Sequence, residues 1–347
     1  MKRPTVLGIA TATPPLAIGQ EELFDTFFAR IYASVPNARQ LFEATKIRQR
    51  HFSWDPREAF AGGVPSTASR VACWRDAVLG MAGSTLSALF RDHDRARVGS
   101  FVMASCTGYT GPTPELVLAQ RFELSRSLRR TFVGHMGCYA AFNAVKIALD
   151  SLAARPREHV LVNCSEACTL HIRPESTPEQ VVIHALFGDA SASLLLANEE
   201  AGAGPQILGT HTETLYETSE MMTWEITDLG FRMTLSPYVP SVLCKRVAAF
   251  TDRLLAESGL DRGDIRYWGI HPGGPNVVRA IQKELSLADE QVRFAWEILA
   301  EYGNCSSATI LLILQRMLED AKPRPNEHAV LMAFGPGLTM EGLLVRF

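Results

Sequence analysis

Cys138 is the residue of this sequence whose local setting best suits nucleophilic chemistry. It follows Gly137 and opens a run of small and helix-forming residues, YAAFNAVKIAL. At a helix N-terminus, the macrodipole and the unpaired N–H groups stabilise a thiolate, which is the nucleophilic form of cysteine. The alternative is a buried cysteine that packs as a small hydrophobic residue, as most free cysteines do.

Two further polar residues lie close to glycines, where the chain is predicted to turn or to begin a helix. His271, in WGIHPGGPNVV, follows a predicted strand and precedes a Pro-Gly-Gly turn, and loops at strand ends often carry catalytic residues. Asn304, in EYGNCSSATI, follows a glycine and precedes a helix of small residues. Taken singly, His271 could be a histidine that caps a loop, and Asn304 could be a helix N-cap.

A weak internal repeat relates the positions of these three residues to one another. A constant shift along the sequence places Cys138 on Asn304 and Ser105 on His271, and both halves run from strand to glycine-containing loop to small-residue helix. If a pseudo-twofold axis relates the halves, Cys138, His271 and Asn304 converge. A thiol nucleophile beside two hydrogen-bond donors for a thioester oxygen is what covalent catalysis with an oxyanion site requires.

The elements that must position these residues alternate between apolar runs of strand length and longer helical patterns, which indicates an α/β fold. Near-continuous apolar runs predict strands covered on both faces, at Val98–Ser105, His159–Cys164, Ala190–Ala197, Ile265–Ile270 and Val330–Phe334. Buried helices are predicted at Cys138–Leu152 and Ser306–Leu318. A Gly/Pro cluster, AGAGPQ, predicts a boundary that divides the chain into residues 1–205 and 206–347, with the active site at their junction.

Composition excludes several classes of protein. The chain has 347 residues, of which 47% are hydrophobic and 20% charged, and a net charge of −3, so it is not mainly disordered. Its 34 basic residues are outnumbered by 37 acidic ones, which disfavours a nucleic-acid binder.

The seven cysteines and the N-terminus argue for a protein of the reducing cytoplasm. The number of cysteines is odd and there is no C-x-x-C pair, so free thiols are expected rather than a disulfide framework. Cys164 and Cys168 have no histidine or cysteine cluster beside them, which disfavours a metal site. The apolar N-terminal run is broken by Pro14 and Pro15, so neither export nor a membrane span is predicted.

Six motifs, in order, resemble those of a known family. They are GCYA at Cys138, CSE at Cys164–Glu166, ALFGDASAS at Ala185–Ser193, HPGGP at His271–Pro275, GNCSSA at Gly303–Ala308 and FGPG at Phe334–Gly337. The sequence resembles the type III polyketide synthases, the chalcone-synthase-like branch of the thiolase-fold condensing enzymes, and in particular their bacterial alkylpyrone and alkylresorcinol members. The resemblance implies an α/β, thiolase-like fold of two pseudo-duplicated α-β-α-β-α halves.

The resemblance also implies a role for each of the three polar residues. Cys138 would be acylated by a starter thioester. His271 and Asn304 would bind the thioester carbonyl of malonyl-CoA and stabilise the enolate that forms as CO₂ leaves. No metal, flavin or nicotinamide cofactor is implied, because coenzyme A or carrier-protein thioesters are the substrates.

Further positions match residues that line the substrate cavity of the family. Phe187 matches an aromatic gatekeeper, and Met233 stands where many plant members have a second Phe. His171 and Trp224 are bulkier than the residues typical of plant enzymes, which suggests a cavity reshaped away from aromatic starters. The remaining matches are Cys106, Thr107, Ser306, Gly335, Pro336 and Gly337. For each position, ordinary core packing is the alternative.

The sequence departs from the family at the positions that bind coenzyme A phosphates, where it has Asn37, Gln40 and Ala44 in place of basic residues. Nearby basic residues could substitute or could form a solvated face, and an acyl carrier protein is an alternative donor. These residues are Arg39, Lys46, Arg48 and Arg50. Gly111 replaces a Met that often reaches into the partner subunit, so that dimer contact is not supported.

The function predicted is therefore a cytoplasmic, homodimeric enzyme that extends an acyl thioester, aliphatic rather than aromatic, with malonyl units and releases an alkylpyrone or alkylresorcinol. One alternative is a stand-alone ketosynthase that joins two β-ketoacyl chains into an α-pyrone. Others are a non-catalytic thiolase-fold subunit, which the intact Cys138, His271 and Asn304 argue against, and a thiolase or fatty-acid initiation synthase. Starter length, number of extensions and mode of ring closure do not follow from the sequence.

Overall fold

The computed structural model of the protein describes residues 2–347. The strands are β1 (Arg3–Ala12), β2 (Leu16–Gly19), β3 (Gln49–Phe52), β4 (Val98–Ser105), β5 (Arg129–Gly134), β6 (His159–Ala167), β7 (Asp189–Glu199), β8 (Gln206–Thr214), β9 (Met222–Thr227), β10 (Gly230–Leu235), β11 (Ile265–Ile270), β12 (His328–Gly335) and β13 (Thr339–Arg346).

The helices are α1 (Gln20–Leu23), α2 (Ala29–Ile31), α3 (Ala38–Glu43), α4 (Pro56–Ala59), α5 (Thr67–Asp92), α6 (Pro114–Arg121), α7 (Ala140–Ala154), α8 (Pro178–Leu186), α9 (Val239–Ala256), α10 (Pro275–Glu284), α11 (Asp289–Tyr302) and α12 (Thr309–Arg316). Of these helices, none is both long and apolar enough to cross a membrane, as judged over residues 2–347.

A nine-stranded mixed sheet runs through the molecule in the order β11-β12-β13-β8-β1-β7-β6-β4-β5. The strands β4-β6-β7-β1 and β11-β12-β13-β8 are paired in the same way: the first pair is parallel and the next two are antiparallel. The two groups meet where β1 pairs with β8 through Thr5 and Gln206. The same strand order therefore occurs twice, once on each side of that junction.

Helices cover both faces of the strands that come before Ala201, which is why those strands are so apolar. Side chains alternate along a strand, so Val102 and Val162 enter the cluster that contains α7, whereas Phe101 and Leu161 enter the cluster that contains α5. All nine residues of β6 are buried. Such burial on both faces explains the near-continuous apolar runs in the sequence.

The five predicted strands are all present, as β4, β6, β7, β11 and β12, and two of them, Val98–Ser105 and Ile265–Ile270, have the predicted bounds. Both predicted helices begin with a 3₁₀ turn, at Gly137–Tyr139 and at Ser306–Ala308, before α7 and α12. The second helix ends as a π-helical turn, Met317–Ala321.

Candidate active site

Cys138 lies in the 3₁₀ turn between β5 and α7, and the turn depends on its glycine. Gly137 has a φ of +77°, and a Cβ at this position would overlap with the ring of Pro336. A Cβ at Gly335 would come within 2.7 Å of the Tyr139 ring. The GCYA and FGPG motifs are therefore in contact, and each has a glycine where a side chain would collide with the other motif.

Asn304 is held against Cys138 by its own backbone and side chain. Its amide group lies 3.9 Å from Cys138 Sγ. The Asn304 N–H donates to the carbonyl of Leu186 (2.8 Å), and its carbonyl accepts from the N–H of Gly188 (3.0 Å). Because Asn304 Oδ1 accepts from the N–H of Ser306 (2.8 Å), the Nδ2 group remains as a donor for a bound oxygen.

His271 lies directly after β11, and its N–H donates to the carbonyl of Met332 in β12 (2.8 Å). The side chain is fully buried, and neither ring nitrogen has a hydrogen-bond partner within residues 2–347. Burial lowers the pKa of His271 to about 3, so the imidazole is neutral at pH 7. Buried polar groups are rarely left unpaired, so an unpaired neutral imidazole is available to a ligand.

Burial also shifts the pKa of the Cys138 thiol. It raises the pKa of Cys138 to about 12, although hydrogen bonds from Ser306 and Asn304 act in the opposite direction. The helix N-terminus was expected to favour the thiolate, but desolvation outweighs that effect here. The free enzyme therefore holds a protonated thiol and a neutral imidazole.

Cys138 lines a small cavity of about 50 Å³. The structure brings most of the predicted cavity residues to this space: Cys106, Thr107, His171, Phe187, Trp224, Met233, Ser306 and Pro336. Gly335 and Gly337 flank Pro336 without lining the cavity, and Phe231, Gln180 and His184 line it although no role was predicted for them.

One wall of this cavity is a rigid aromatic cluster. His171 stacks on Phe231, with ring centroids 4.3 Å apart, and meets Trp224 edge-on at 5.5 Å. His171 Nε2 donates to the carbonyl of Thr107 (2.7 Å) while Nδ1 accepts from the N–H of Phe231 (3.0 Å). Trp224 Nε1 donates to the carbonyl of Cys106 (2.8 Å). These bonds fix the wall, and burial lowers the pKa of His171 to about 3.

Glu166 is a buried carboxylate for which sequence reasoning gave no role beyond its place in the CSE motif. It accepts hydrogen bonds from the N–H of Cys106 (2.9 Å) and from the hydroxyls of Thr107 (2.8 Å) and Ser307 (2.5 Å). Burial raises the pKa of its carboxyl group. Through these bonds Glu166 ties β6 to the segments that line the small cavity on both sides.

A larger cavity of about 570 Å³ lies beside the small one and shares a wall with it. Leu186 and Leu235 line the large cavity, whereas Phe187 and Met233, one and two residues away from them in sequence, line the small one. Gly273, two residues after His271, also lines the large cavity. The segment that carries Phe187 and the strand β10 therefore separate the two spaces.

The four predicted basic residues do not lie together. Lys46 lines the large cavity. Arg39 is paired with Asp25 on the surface, and Arg48 is paired with Glu301. Arg50 is only 1% exposed and lines the small cavity instead.

Sequence reasoning did not identify Arg279, a second cation that lines the large cavity. It lies on α10, one turn after Asn276, and its guanidinium group stacks over Trp296 at 5.5 Å. The HPGGP motif immediately before α10 was the available signal, because a helix that starts at the site presents its first turns to the ligand.

Comparison with known proteins bears on the whole chain. A family model described as "Chalcone and stilbene synthases, N-terminal domain" matches residues 2–200, and the corresponding C-terminal domain model matches residues 206–347.

Individual relatives are similar over nearly their full length. The chain is 29% identical to a "3,5-dihydroxyphenylacetyl-CoA synthase" of Streptomyces toyocaensis, with 99% of this chain and 90% of that protein covered. It is 28% identical to the "Alpha-pyrone synthesis polyketide synthase-like Pks18" of Mycobacterium tuberculosis, with 97% and 89% covered. The crystal structure of PKS-I from the brown alga Ectocarpus siliculosus matches with a TM-score of 0.93 at 25% identity, over 100% of this chain and 98% of that one.

These findings confirm the resemblance and the fold that the motifs predicted. The chain belongs to the chalcone and stilbene synthase family: it is a type III polyketide synthase, an acyltransferase-type condensing enzyme with the thiolase-like α/β fold.

Proposed function

We propose that Cys138, His271 and Asn304 are the catalytic residues of this enzyme and that they condense malonyl units onto an acyl chain carried by Cys138. The observation that carries the proposal is that the Asn304 amide lies 3.9 Å from Sγ of Cys138, which lines the small cavity. The fully buried His271, whose ring nitrogens have no partner within residues 2–347, supplies the second donor.

In the loading step, the Cys138 sulfur attacks the carbonyl carbon of an acyl thioester. The new S–C bond forms, the C–S bond to the donor breaks, and the departing thiolate takes up the Cys138 proton. A protonated thiol suits this exchange, because the resting site then carries no uncompensated buried charge.

In the condensing step, the bond between the malonyl methylene carbon and its carboxylate breaks and CO₂ leaves. The electron pair remains as an enolate, whose oxygen accepts hydrogen bonds from His271 and from Asn304 Nδ2. The methylene carbon then attacks the acyl carbonyl, and Cys138 leaves as a thiolate that is reprotonated. Each oxyanion donor contributes roughly 3 kcal/mol where the charge develops. The broken C–C bond supplies the electrons, so the step needs no metal, flavin or nicotinamide.

Coenzyme A is the proposed donor, and the large cavity is its proposed binding site. Lys46 and Arg279 present positive charge there for phosphate groups, against the single carboxylate of Glu179. Phe187 and Met233, in the shared wall, would gate passage of the thioester to Cys138. A carrier protein is the alternative donor, and the loading experiment below distinguishes the two.

The proposed product is an alkylpyrone or alkylresorcinol formed by few extensions from an aliphatic starter. The small cavity and its fixed wall of His171, Trp224 and Phe231 limit what can grow beside Cys138. One relative is named for alpha-pyrone synthesis, which agrees with this product class. Trp224→Gly should enlarge the cavity and lengthen the product, whereas Trp224→Phe should change it less; an unchanged product spectrum in both variants would reduce Trp224 to packing.

The proposed assembly is a homodimer located in the cytoplasm, built from halves at residues 1–205 and 206–347. Large apolar side chains near the site are exposed in the single chain, including Met136 at 42% and Tyr109 at 37%. A second copy would bury such a surface, since monomers rarely leave apolar patches open. The molar mass from light scattering tests this, and a monomer would contradict it.

Intact-protein mass spectrometry tests the proposed function directly. The protein is incubated separately with acyl-CoA and acyl-carrier-protein thioesters of different chain length, with Cys138→Ala as the control. An acyl adduct from coenzyme A donors that disappears in the variant is expected. Adducts only from carrier protein would favour the ketosynthase that joins two β-ketoacyl chains. No adduct from any donor would contradict the role of Cys138.

A further inference from the structure

Arg50 is a buried cation that does not lie where a surface role would place it. Its Nε donates to Gln20 Oε1 (2.9 Å), and its Nη1 donates to the carbonyls of both His184 and Phe187 (2.7 Å each). The Nη2 group has no hydrogen-bond partner in the described part of the chain. Burial lowers the pKa of Arg50 to about 9. A buried guanidinium group in such a setting is costly, so its position calls for an explanation.

One of the two carbonyls that Arg50 binds, that of Phe187, belongs to the segment that holds Asn304, and the other, that of His184, lies in the helix that leads into this segment. Phe187 forms a parallel bridge with Asn304. The two hydrogen bonds of this bridge come from the residues beside Phe187: the Asn304 N–H donates to the carbonyl of Leu186, and the Gly188 N–H donates to the carbonyl of Asn304. The path from the guanidinium group to the Asn304 backbone is therefore two hydrogen bonds long.

The stem of Arg50 packs against the glycines of both segments. A Cβ at Gly303, which has a φ of +71°, would lie 3.0 Å from Arg50 Cδ and 2.6 Å from the carbonyl oxygen of Leu186. A Cβ at Gly188 would lie 3.6 Å from Arg50 Cβ. The rings of Phe42 and Phe52 enclose the guanidinium group, at 5.7 and 5.2 Å from its Cζ.

We infer that Arg50 is a positioning residue that holds the Asn304 amide in place beside Cys138 by fixing the Leu186–Gly188 segment. The same segment forms part of the wall between the two cavities, and the inference concerns its hydrogen bonds to Asn304, not the gate at Phe187. This inference rests on the proposed role of Asn304. It replaces the role at the coenzyme A site that the sequence suggested for Arg50.

The variant Arg50→Lys tests the inference, because lysine keeps the charge but cannot reproduce the planar fork that reaches three acceptors. Malonyl-CoA decarboxylation, which needs Asn304, should fall by roughly tenfold to a hundredfold, since small displacements of a catalytic group have effects of this size. Acylation of Cys138, followed by intact mass, should keep its wild-type rate. Gln20→Ala, which removes the acceptor of Nε and leaves Arg50 in place, is the milder second variant and should act in the same direction.

Arg70→Lys is the matched control. Arg70 is also fully buried and binds the carbonyls of Leu170 and Ile172, and none of its hydrogen bonds goes to the Leu186–Gly188 segment. This variant should leave the ratio of decarboxylation to acylation at its wild-type value, whatever it does to stability.

A double-mutant cycle with Asn304→Ala separates positioning from general damage. If Arg50 acts through Asn304, Arg50→Lys causes no further loss of decarboxylation in the Asn304→Ala background. An independent loss there, or a proportional fall of both activities in Arg50→Lys and Gln20→Ala, would overturn the inference. Wild-type decarboxylation in Asn304→Ala alone would overturn the proposed role of Asn304, and this inference with it.

Discussion

Cys138 and Asn304 occupy matching places in the two halves of the chain. Each comes directly after a glycine of positive φ, +77° at Gly137 and +71° at Gly303, and each leads through a 3₁₀ turn into a helix, α7 or α12. The backbone has the same arrangement in both places, but the side chain is a thiol in one half and an amide in the other.

The strand ends differ more. Ser105 ends β4, and its hydroxyl accepts from Trp74 Nε1 (3.1 Å) and donates to Glu166 (3.3 Å). His271 follows the equivalent strand β11, and its ring nitrogens have no partner within residues 2–347. At its strand end the first half therefore uses its polar group to hold structure, whereas the second leaves the His271 ring free for a ligand. The repeated frame therefore places polar groups at equivalent positions, and the two halves differ in whether the group at the strand end is already hydrogen-bonded.

The largest expected effect follows from removing the thiol. Cys138→Ala should lower condensation by about 10⁴-fold or more, because the proposed carrier of the acyl chain is then missing. Product formation from acyl-CoA and malonyl-CoA measures this, with circular dichroism to show that the fold is retained. Condensation near the wild-type rate in this variant would contradict the role assigned to the Cys138 thiol.

Removing a donor from the second half should have a smaller and more selective effect. His271→Ala or Asn304→Ala should lower malonyl-CoA decarboxylation by about 10²- to 10³-fold, the usual effect of losing one oxyanion donor. Release of CO₂ and acylation of Cys138 are measured side by side. If acylation falls while decarboxylation stays intact, the assignment of the donors is wrong.

Acid should destabilise the protein through its buried neutral histidines. Burial lowers the pKa of His171, His184 and His271 to about 3 and that of His159 to about 4, whereas the unfolded chain titrates near 6.5. The unfolded state thus binds more protons below pH 6.5, so the free energy of unfolding falls as the pH falls, by up to about 1.4 kcal/mol per pH unit for each histidine.

Urea unfolding between pH 6.5 and 5 measures this dependence and sharpens the comparison between the hydrogen-bonded His171 and the unpaired His271. Replacing either one by Gln should flatten the pH dependence by about the same amount, because burial sets both pKa values. A flattening with His171→Gln alone would show that His271 is protonated or exposed in solution.

The smallest effect is expected at the structural counterpart of His271. Ser105→Ala should cost about 1 kcal/mol of unfolding free energy, through its lost hydrogen bonds, and leave malonyl-CoA decarboxylation unchanged. Thermal unfolding and CO₂ release measure the two. A large loss of decarboxylation would mean that Ser105 takes part in the reaction and does not have the purely structural role assigned to it.

Much of the fold could be predicted because its main strands are buried on both faces. Strands β4 and β11 stand out as apolar runs bounded by polar turns. Strands β5 and β8 do not, since most of their residues are partly or fully exposed and include charged or polar groups such as Arg129 and His211. Their pairing comes from neighbours distant in sequence, which no local pattern records.

The parts of the candidate site that depend on a constrained backbone could be predicted, because such a backbone requires a recognisable motif. The parts that depend on burial in the folded chain could not. Gly137 and Gly303 mark the turns that carry Cys138 and Asn304. Arg50 sits in a short polar stretch that reads as surface, and only the packing of Phe42, Phe52 and the carbonyls around it makes it an interior group. The pKa of Cys138 likewise follows from burial in the folded chain.

The most direct test of the division between the halves is the pair of half-reactions measured in two variants. Cys138→Ala and Asn304→Ala are each assayed for release of CO₂ from malonyl-CoA and for acylation by an acyl-CoA. A crossed pattern is predicted: Cys138→Ala releases CO₂ without acylation, and Asn304→Ala is acylated without release of CO₂. Loss of both half-reactions in both variants would contradict the account, because the thiol and the amide would then act as one inseparable unit.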